Sequence, residues 1–217
     1  LPDTFSYEVY YLIQRYFGGL RYVNPREKLE SAIELWDLIV DNNRTPSGKV
    51  FFEIGTGRMP IMPLAYWLMG AEKVVTLDLN PYLREALFMK ALAYISKNKT
   101  QIETLFGERL DKDRYDLLLL EIERNRMVAQ DYLALCCIEY LAPADAAKTS
   151  IPSKSIDFHT SYAVFEHIDG LKLKSILKEA LRILKPGGVC VHKIDYSDHF
   201  SHSDKTISGI NFLQYDD

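Results

Sequence analysis

The stretch Lys49-Val-Phe-Phe-Glu-Ile-Gly-Thr-Gly-Arg-Met-Pro60 reads as a buried strand that runs into a glycine turn and then a helix, and few folds accept that order. Val50, Phe51 and Phe52 form a short apolar run of β-branched and aromatic residues after the turn-like Pro46, Ser47 and Gly48, as a central parallel strand requires. Gly55 and Gly57 let the backbone turn tightly and lie against a ligand without a Cβ in the way. Pro60 suits the first turn of the following helix, where its missing N–H costs nothing.

Such a unit holds either a dinucleotide or S-adenosylmethionine, and the residues around the glycines separate the two. The dinucleotide pattern places a third glycine at position 60, beside a pyrophosphate on the helix N-terminus. This chain has Pro60 there, and Glu53 stands just ahead of the loop. A carboxylate repels a pyrophosphate and suits the ammonium and sulfonium of S-adenosylmethionine. The next apolar run, Val74 to Leu77, ends in Asp78, 21 residues after Gly57. An acid at that place accepts both hydroxyls of an adenosine ribose. Asp78 also has a capping reading, since it precedes Leu79-Asn80-Pro81, a helix-start sequence; with Asn80 as the cap, Asp78 stays available for the ribose.

A chain of 217 residues is expected to form one domain with a real core. Its net charge of −4 argues against nucleic acid or an anionic membrane as the main partner and points to small ligands. Three cysteines, two of them adjacent at 136 and 137, make no disulfide framework and fit a reducing compartment, so a cytoplasmic location is expected. No apolar run is long enough to span a bilayer, no signal-peptide pattern is present, and a chain beginning at Leu1 is expected to have lost its natural start.

Periodicity predicts a helix over 6–17, stopped by Gly18 and Gly19, whose Tyr7, Tyr10, Tyr11 and Tyr16 either pack or line a substrate entrance. A second helix over 25–40 has the apolar face to cover the sheet, and with the first it makes residues 1–48 a helical N-terminal extension. After the second strand a helix is expected over 81–96. Residues 98–136 are longer than a crossover needs and carry helices near 101–108 and 113–135, a helical insert that either lies over the ligand site or is a solvated appendage. A third strand over 137–141, a turn over 142–146, a fourth strand over 155–161, an amphipathic helix over 171–184 with a solvated lysine face, a stop at Lys185-Pro-Gly-Gly188 and a fifth strand over 189–194 complete the alternation.

The chain resembles the class I S-adenosylmethionine-dependent methyltransferases of the small-molecule type. Four elements carry the likeness in order: Glu53-x-Gly55-x-Gly57, Asp78 ending the second strand, the run from Asp157 to Val164-Phe-Glu-His-Ile168, and Leu181-Arg-Ile-Leu-Lys-Pro-Gly-Gly188 before a strand. It covers roughly residues 49–196 without the insert. The resemblance implies a Rossmann-like, doubly wound and mostly parallel α/β sheet with S-adenosylmethionine as cofactor. It implies that Glu53, Gly55, Thr56 and Gly57 cradle the methionine and ribose part, that Asp78 binds the ribose hydroxyls with Leu79 beside the adenine, that Asp145 with Ala146 meets the adenine amino edge, and that Ser161 and Tyr162 lie near the departing methyl. Two departures stand out. Met59 replaces a glycine common in the family, and only about 20 residues follow the fifth strand where the family adds a helix and two strands, so C-terminal strands are expected to be missing.

The segment from His192 to Asp204 falls at the strand C-termini, where open α/β sheets bind ligands. His199 or Asp198 is the expected general base toward an acceptor hydroxyl. The histidine and aspartate spacing there matches no compact metal signature, and no metal is expected. His159 reads as a core strand residue and His167 as a packing or hydrogen-bonding residue near the site mouth. The reading is methyl transfer to a small-molecule or sugar-like acceptor, at oxygen. Its rivals are a nicotinamide-dependent oxidoreductase on a similar sheet, disfavoured by Glu53 and Pro60, and a non-catalytic relative acting as a binding subunit.

Overall fold

The computed structural model describes residues 23–198, 200–204 and 206–214. The helix expected over 6–17, its tyrosines and His199 lie outside the described residues. The described elements are α1 (Arg26–Asp41), β1 (Val50–Ile54), α2 (Ile61–Leu68), β2 (Lys73–Leu77), α3 (Glu85–Lys97), α4 (Lys99–Phe106), α5 (Lys112–Arg124), α6 (Ala129–Leu135), β3 (Ile138–Leu141), β4 (Ile156–Tyr162), α7 (Gly170–Ile183), β5 (Leu184–Lys193) and α8 (Phe200–Ser203).

All five strands pair in parallel, in the order β3-β2-β1-β4-β5. The fold is therefore a Rossmann-like α/β sheet, as expected. Strand order reverses between β1 and β4, and ligands in such sheets bind outside the carboxyl ends of the strands at that reversal.

Alternation along the central strands divides the core between the two faces. Phe51 and Val74 belong to one cluster, with helices α1 to α6, while Phe52, Ile54, Val75 and Leu77 join Ile176 and Ile183 of α7 in the other. Trp36 of α1 stacks on Phe51 at 5.7 Å, and Phe51 stacks on Tyr66 of α2 at 4.6 Å. Every residue of α2 is buried, because this helix is apolar all round. Among the described residues no helix is long and apolar enough to cross a membrane.

The stretch 98–136 does not lie over the ligand site, nor is it a solvated appendage. Ile102, Phe106, Tyr115, Leu118, Tyr132 and Leu133 are buried in the same cluster as α2 and α3. Charged residues occupy its other face, where Lys99 meets Glu123 and Lys112 meets Glu103. An amphipathic surface of that width finds its apolar partner on the sheet's helical layer rather than in solvent.

Two boundaries differ from expectation. Helix α3 opens at Glu85, not near Pro81, and Asn80 donates to Tyr82 Oη at 3.0 Å instead of capping it. The Arg84 N–H donates to the Arg58 carbonyl at 2.9 Å and the Tyr82 N–H to the Asn80 carbonyl at 2.8 Å, so residues 81–84 form a non-helical link tied to the end of the glycine loop. The Lys185-Pro-Gly-Gly188 segment ends α7 as expected but belongs to β5, opposite a register shift between Ile156 and Phe158. At that shift Asp157 accepts from the Val50 N–H at 3.0 Å and from Lys185 Nζ at 2.7 Å. A Cβ on Gly188 would lie 2.9 Å from the Asp157 carbonyl oxygen, which accounts for glycine there.

Candidate active site

A cleft of about 790 Å³ opens at the carboxyl ends of β1, β2 and β4, with walls from the loop after β3 and the start of α7. Of the expected cofactor residues, Gly55, Gly57, Asp78, Leu79, Asp145, Ala146 and Tyr162 line it. Glu53, Thr56 and Ser161 do not.

Gly55 has φ +90°, and a Cβ built on it would sit 2.4 Å from Val164 Cγ2. Val164 itself lines the cleft, so the absent side chain leaves a floor on which a ligand can lie against backbone. The Gly57 N–H donates to Asp78 at 3.1 Å, and Tyr140 Oη donates to the same carboxylate at 3.2 Å. Those two donors fix the Asp78 carboxylate beside the glycine loop at the cleft wall. Burial nevertheless pushes its pKa up to about 6, against the pull of these hydrogen bonds and of Lys28.

Glu53 lies beneath the loop, 1% exposed. Its carboxyl accepts from Thr76 Oγ1 at 3.4 Å, and Thr76 Oγ1 also contacts Thr56 Oγ1 at 2.6 Å. Thr56, in the loop after β1, is buried with its hydroxyl against Thr76 of β2, so it braces the loop from below instead of facing a ligand. Desolvation raises the Glu53 pKa to about 8, with Lys28 opposing. The counterpart was missed in the sequence. Lys28 of α1 lines the cleft, a Cβ on Gly57 would be 3.6 Å from its Nζ, and burial lowers its pKa although Glu53 and Asp78 attract the charged form. Nothing in a lone lysine of an amphipathic helix announces that position. Helix α1 is set by Tyr162 Oη donating to Glu27 at 3.1 Å and by Lys193 pairing with Glu34.

Asp145 accepts from the Ala147 N–H at 2.9 Å and from Lys172 Nζ at 2.7 Å. Lys172 thus belongs to the cleft wall, where a solvated helix face was expected. Its ammonium holds the Asp145 carboxyl below the usual carboxylate range. Exposed Leu79 and half-buried Tyr82 also line the cleft, ahead of the delayed start of α3.

Ser161 is fully buried, and its Oγ is 2.8 Å from His192 Nδ1. His192 Nε2 is 3.2 Å from Nδ1 of His159, which is buried in the strand as expected. Burial depresses both imidazoles, His159 to about 3 and His192 to about 4, so both are neutral at ordinary pH. With the nearby Cys190 they bring three ligand-type atoms within 4.8 Å of one another.

A second cavity of about 750 Å³ adjoins the cleft, and His167 lines both. Asp198 lies in its wall, with Oδ1 accepting from the Phe200 N–H at 2.9 Å and Oδ2 from Asn211 Nδ2 at 3.1 Å.

The donor set fits an adenosyl ligand. Asp78 and Asp145 offer two carboxylates, Ile54, Leu77, Ile168 and Ile176 give apolar surface, and the glycine loop leaves its backbone open. A profile of the methyltransferase domain matches residues 52–192. A comparison with curated protein sequences finds no significant match. Among solved structures, phosphoethanolamine N-methyltransferase 1 of Haemonchus contortus, in complex with phosphoethanolamine and S-adenosylhomocysteine, is 17% identical with a TM-score of 0.45, over 79% of this chain and 27% of that one. A putative sarcosine dimethylglycine methyltransferase from Galdieria sulphuraria is 17% identical with a TM-score of 0.44, over 81% and 52%. Geranyl diphosphate C-methyltransferase from Streptomyces coelicolor, with Mg²⁺, geranyl diphosphate and S-adenosylhomocysteine, is 13% identical with a TM-score of 0.42, over 75% and 45%. This chain thus spans between about a quarter and half of the length of these three structures.

Proposed function

Because the chain belongs to the methyltransferase-domain family, that of the class I S-adenosylmethionine-dependent methyltransferases, we propose that it transfers a methyl group from S-adenosylmethionine to an oxygen of a small-molecule or sugar-like acceptor. The observation that supports this reading is Asp78, held by the Gly57 N–H and Tyr140 Oη at the end of β2 and lining the cleft, a carboxylate suited to accept ribose hydroxyls. Leu79, Asp145 and Ala146 enclose the adenine, and Gly55 and Gly57 lie under the ribose and methionine part. Lys28 takes the carboxylate of the amino-acid end, an assignment its ammonium suits better than buried Glu53 suits a direct contact. Glu53 and Thr56 act from beneath as braces of the loop, and Ser161 acts through His192.

The cofactor supplies a methyl group already activated as an electrophile by its sulfonium. The protein's remaining tasks are to align the acceptor oxygen, exclude water and receive a proton. His167 is assigned the proton because it lines both the cleft and the adjoining cavity. Asp198, anticipated from sequence as the base together with its alternative His199, already accepts at both oxygens and is read as a wall of the acceptor cavity.

Calorimetric titration tests the reading. S-Adenosylhomocysteine should bind the wild type in preference to NAD⁺, and Asp78→Ala should weaken it at least tenfold, the order expected for losing a charged acceptor of two hydrogen bonds. Preference for NAD⁺ would return the chain to the oxidoreductases. Binding without methyl transfer to any acceptor would favour the non-catalytic reading.

A further inference from the structure

We infer that His159, His192 and Cys190, at the β5 edge of the sheet, form a binding site for a transition-metal ion of the zinc type. The inference does not depend on the methyltransferase reading, because none of the three residues lines the cofactor cleft or the cavity beside it. Strand register builds the site. In the parallel pair of β4 and β5, His159 stands opposite Cys190 and Ser161 opposite His192. Residues two apart on a strand share a face, so all four side chains project on one side of the sheet. No spacing within a single segment reveals the set, since its two histidines come from strands separated by α7.

The distances suit coordination. His159 Nδ1 and His192 Nε2 face each other at 3.2 Å. Two nitrogens each about 2.0–2.1 Å from a tetrahedral zinc ion lie about 3.3 Å apart, so an ion seats between these two with little movement. Cys190 Sγ completes a triangle in which the ligand atoms all lie within 4.8 Å of one another. His192 Nδ1 is 2.8 Å from Ser161 Oγ, an acceptor for the N–H that the ring carries when Nε2 ligates. A hydrogen bond of that kind fixes the tautomer and orientation of a ligating imidazole. His159 is fully buried, and its Nε2 has no hydrogen-bond partner. An apolar side chain would fill the same place without burying an unpartnered nitrogen, so packing alone does not account for this histidine.

The donor set also states which ions belong there. A thiolate with two imidazoles selects zinc and its borderline or softer neighbours over magnesium and calcium, which take oxygen ligands. Phe52 and Phe165 back the two rings, with centroids 5.1 Å from His159 and 4.2 Å from His192. Cys190 is exposed on β5, the last strand in the sheet order, so an ion enters from that side and keeps a fourth position for water. On binding, the Cys190 thiol gives its proton to the buffer, and the proton between the two rings moves to an outer ring nitrogen.

The test titrates the intact, reduced and chelator-stripped chain with Zn²⁺, Co²⁺ and Mg²⁺. Calorimetry should show a site for Zn²⁺ that Mg²⁺ does not fill, and Zn²⁺ should raise the melting temperature. Co²⁺ should develop a thiolate-to-metal charge-transfer band. Cys190→Ser should abolish that band, and both Cys190→Ser and His192→Ala should weaken Zn²⁺ by more than the roughly tenfold that loss of an outer hydrogen-bond partner costs. Cys137→Ser, at the other exposed cysteine, should keep the band and the affinity. Absence of the band, a band that survives Cys190→Ser or is lost in Cys137→Ser, equal filling by Mg²⁺, or a His192→Ala chain that binds Zn²⁺ like the wild type overturns the inference. Should His192→Ala fail to fold, alkylation of the wild type by iodoacetamide decides. Zn²⁺ should then protect Cys190 and not Cys137, and an unprotected Cys190 overturns the site. None of these readouts needs cofactor or acceptor, so they fail or succeed apart from methyl transfer.

Discussion

Gly55 and Glu53 show two ways in which a single residue serves this cleft. Gly55 combines a φ of +90° with a Cβ position 2.4 Å from the stiff side chain of Val164. Gly55→Ala should cost about 2–4 kcal/mol in urea unfolding, from left-handed backbone strain plus overpacking, and should weaken S-adenosylhomocysteine binding in calorimetry. Glu53 acts through charge. Its carboxyl has a folded pKa of about 8 against a reference value of 4.5, so between those pH values the folded chain keeps a proton that the unfolded chain has lost. Stability must then fall as pH rises through that window. Chemical denaturation at pH 5 and pH 8.5 should show the wild type losing about 2 kcal/mol or more relative to Glu53→Gln, the direction set by desolvation of the carboxyl. A pH-independent difference would show that the carboxyl is not desolvated in solution.

At the scale of elements, the helices α4, α5 and α6 correct the idea of an insert that covers the ligand. Leu118 of α5 is fully buried against the helical layer, and no residue of these helices lines the cleft. Leu118→Ala should lower stability by about 2–4 kcal/mol while leaving the affinity of the folded protein for S-adenosylhomocysteine unchanged. A loss of affinity without a loss of stability would restore the covering role. Helix α1 presents the opposite case. It reads as a sheet-covering helix, and Leu29, Leu35, Trp36 and Ile39 do pack that way, yet its Lys28 enters the cleft through a turn that periodicity treats as neutral.

For the whole molecule, the cleft draws on β1, β2, β4, the loop after β3, α1 and α7, so a ligand there ties both halves of the sheet together. S-Adenosylhomocysteine at one hundred times its dissociation constant should stabilise the chain by about 2.7 kcal/mol, read as a concentration-dependent rise in melting temperature. A melting temperature unmoved by ligand would place the binding site elsewhere or nowhere.

By itself, the sequence determined the alternation of strands and helices, the glycine turn after β1 and the acid after β2. Each is a local matter: apolar runs, backbone freedom at glycine and the spacing of one helix are properties of neighbouring residues. The strand reading located His159 in the core, and the family resemblance, not any local signal, pointed to Asp145 and Ala146, which line the cleft. Only the tertiary structure decided which side of a strand end faces the ligand. It put Glu53, Thr56 and Ser161 beneath the surface and brought Lys28 and Lys172 onto it. It likewise brought His159, His192 and Cys190 together across two strands. These placements depend on how helices dock against the sheet and where loops cross its edge, and such long-range contacts leave no periodicity in the chain that makes them.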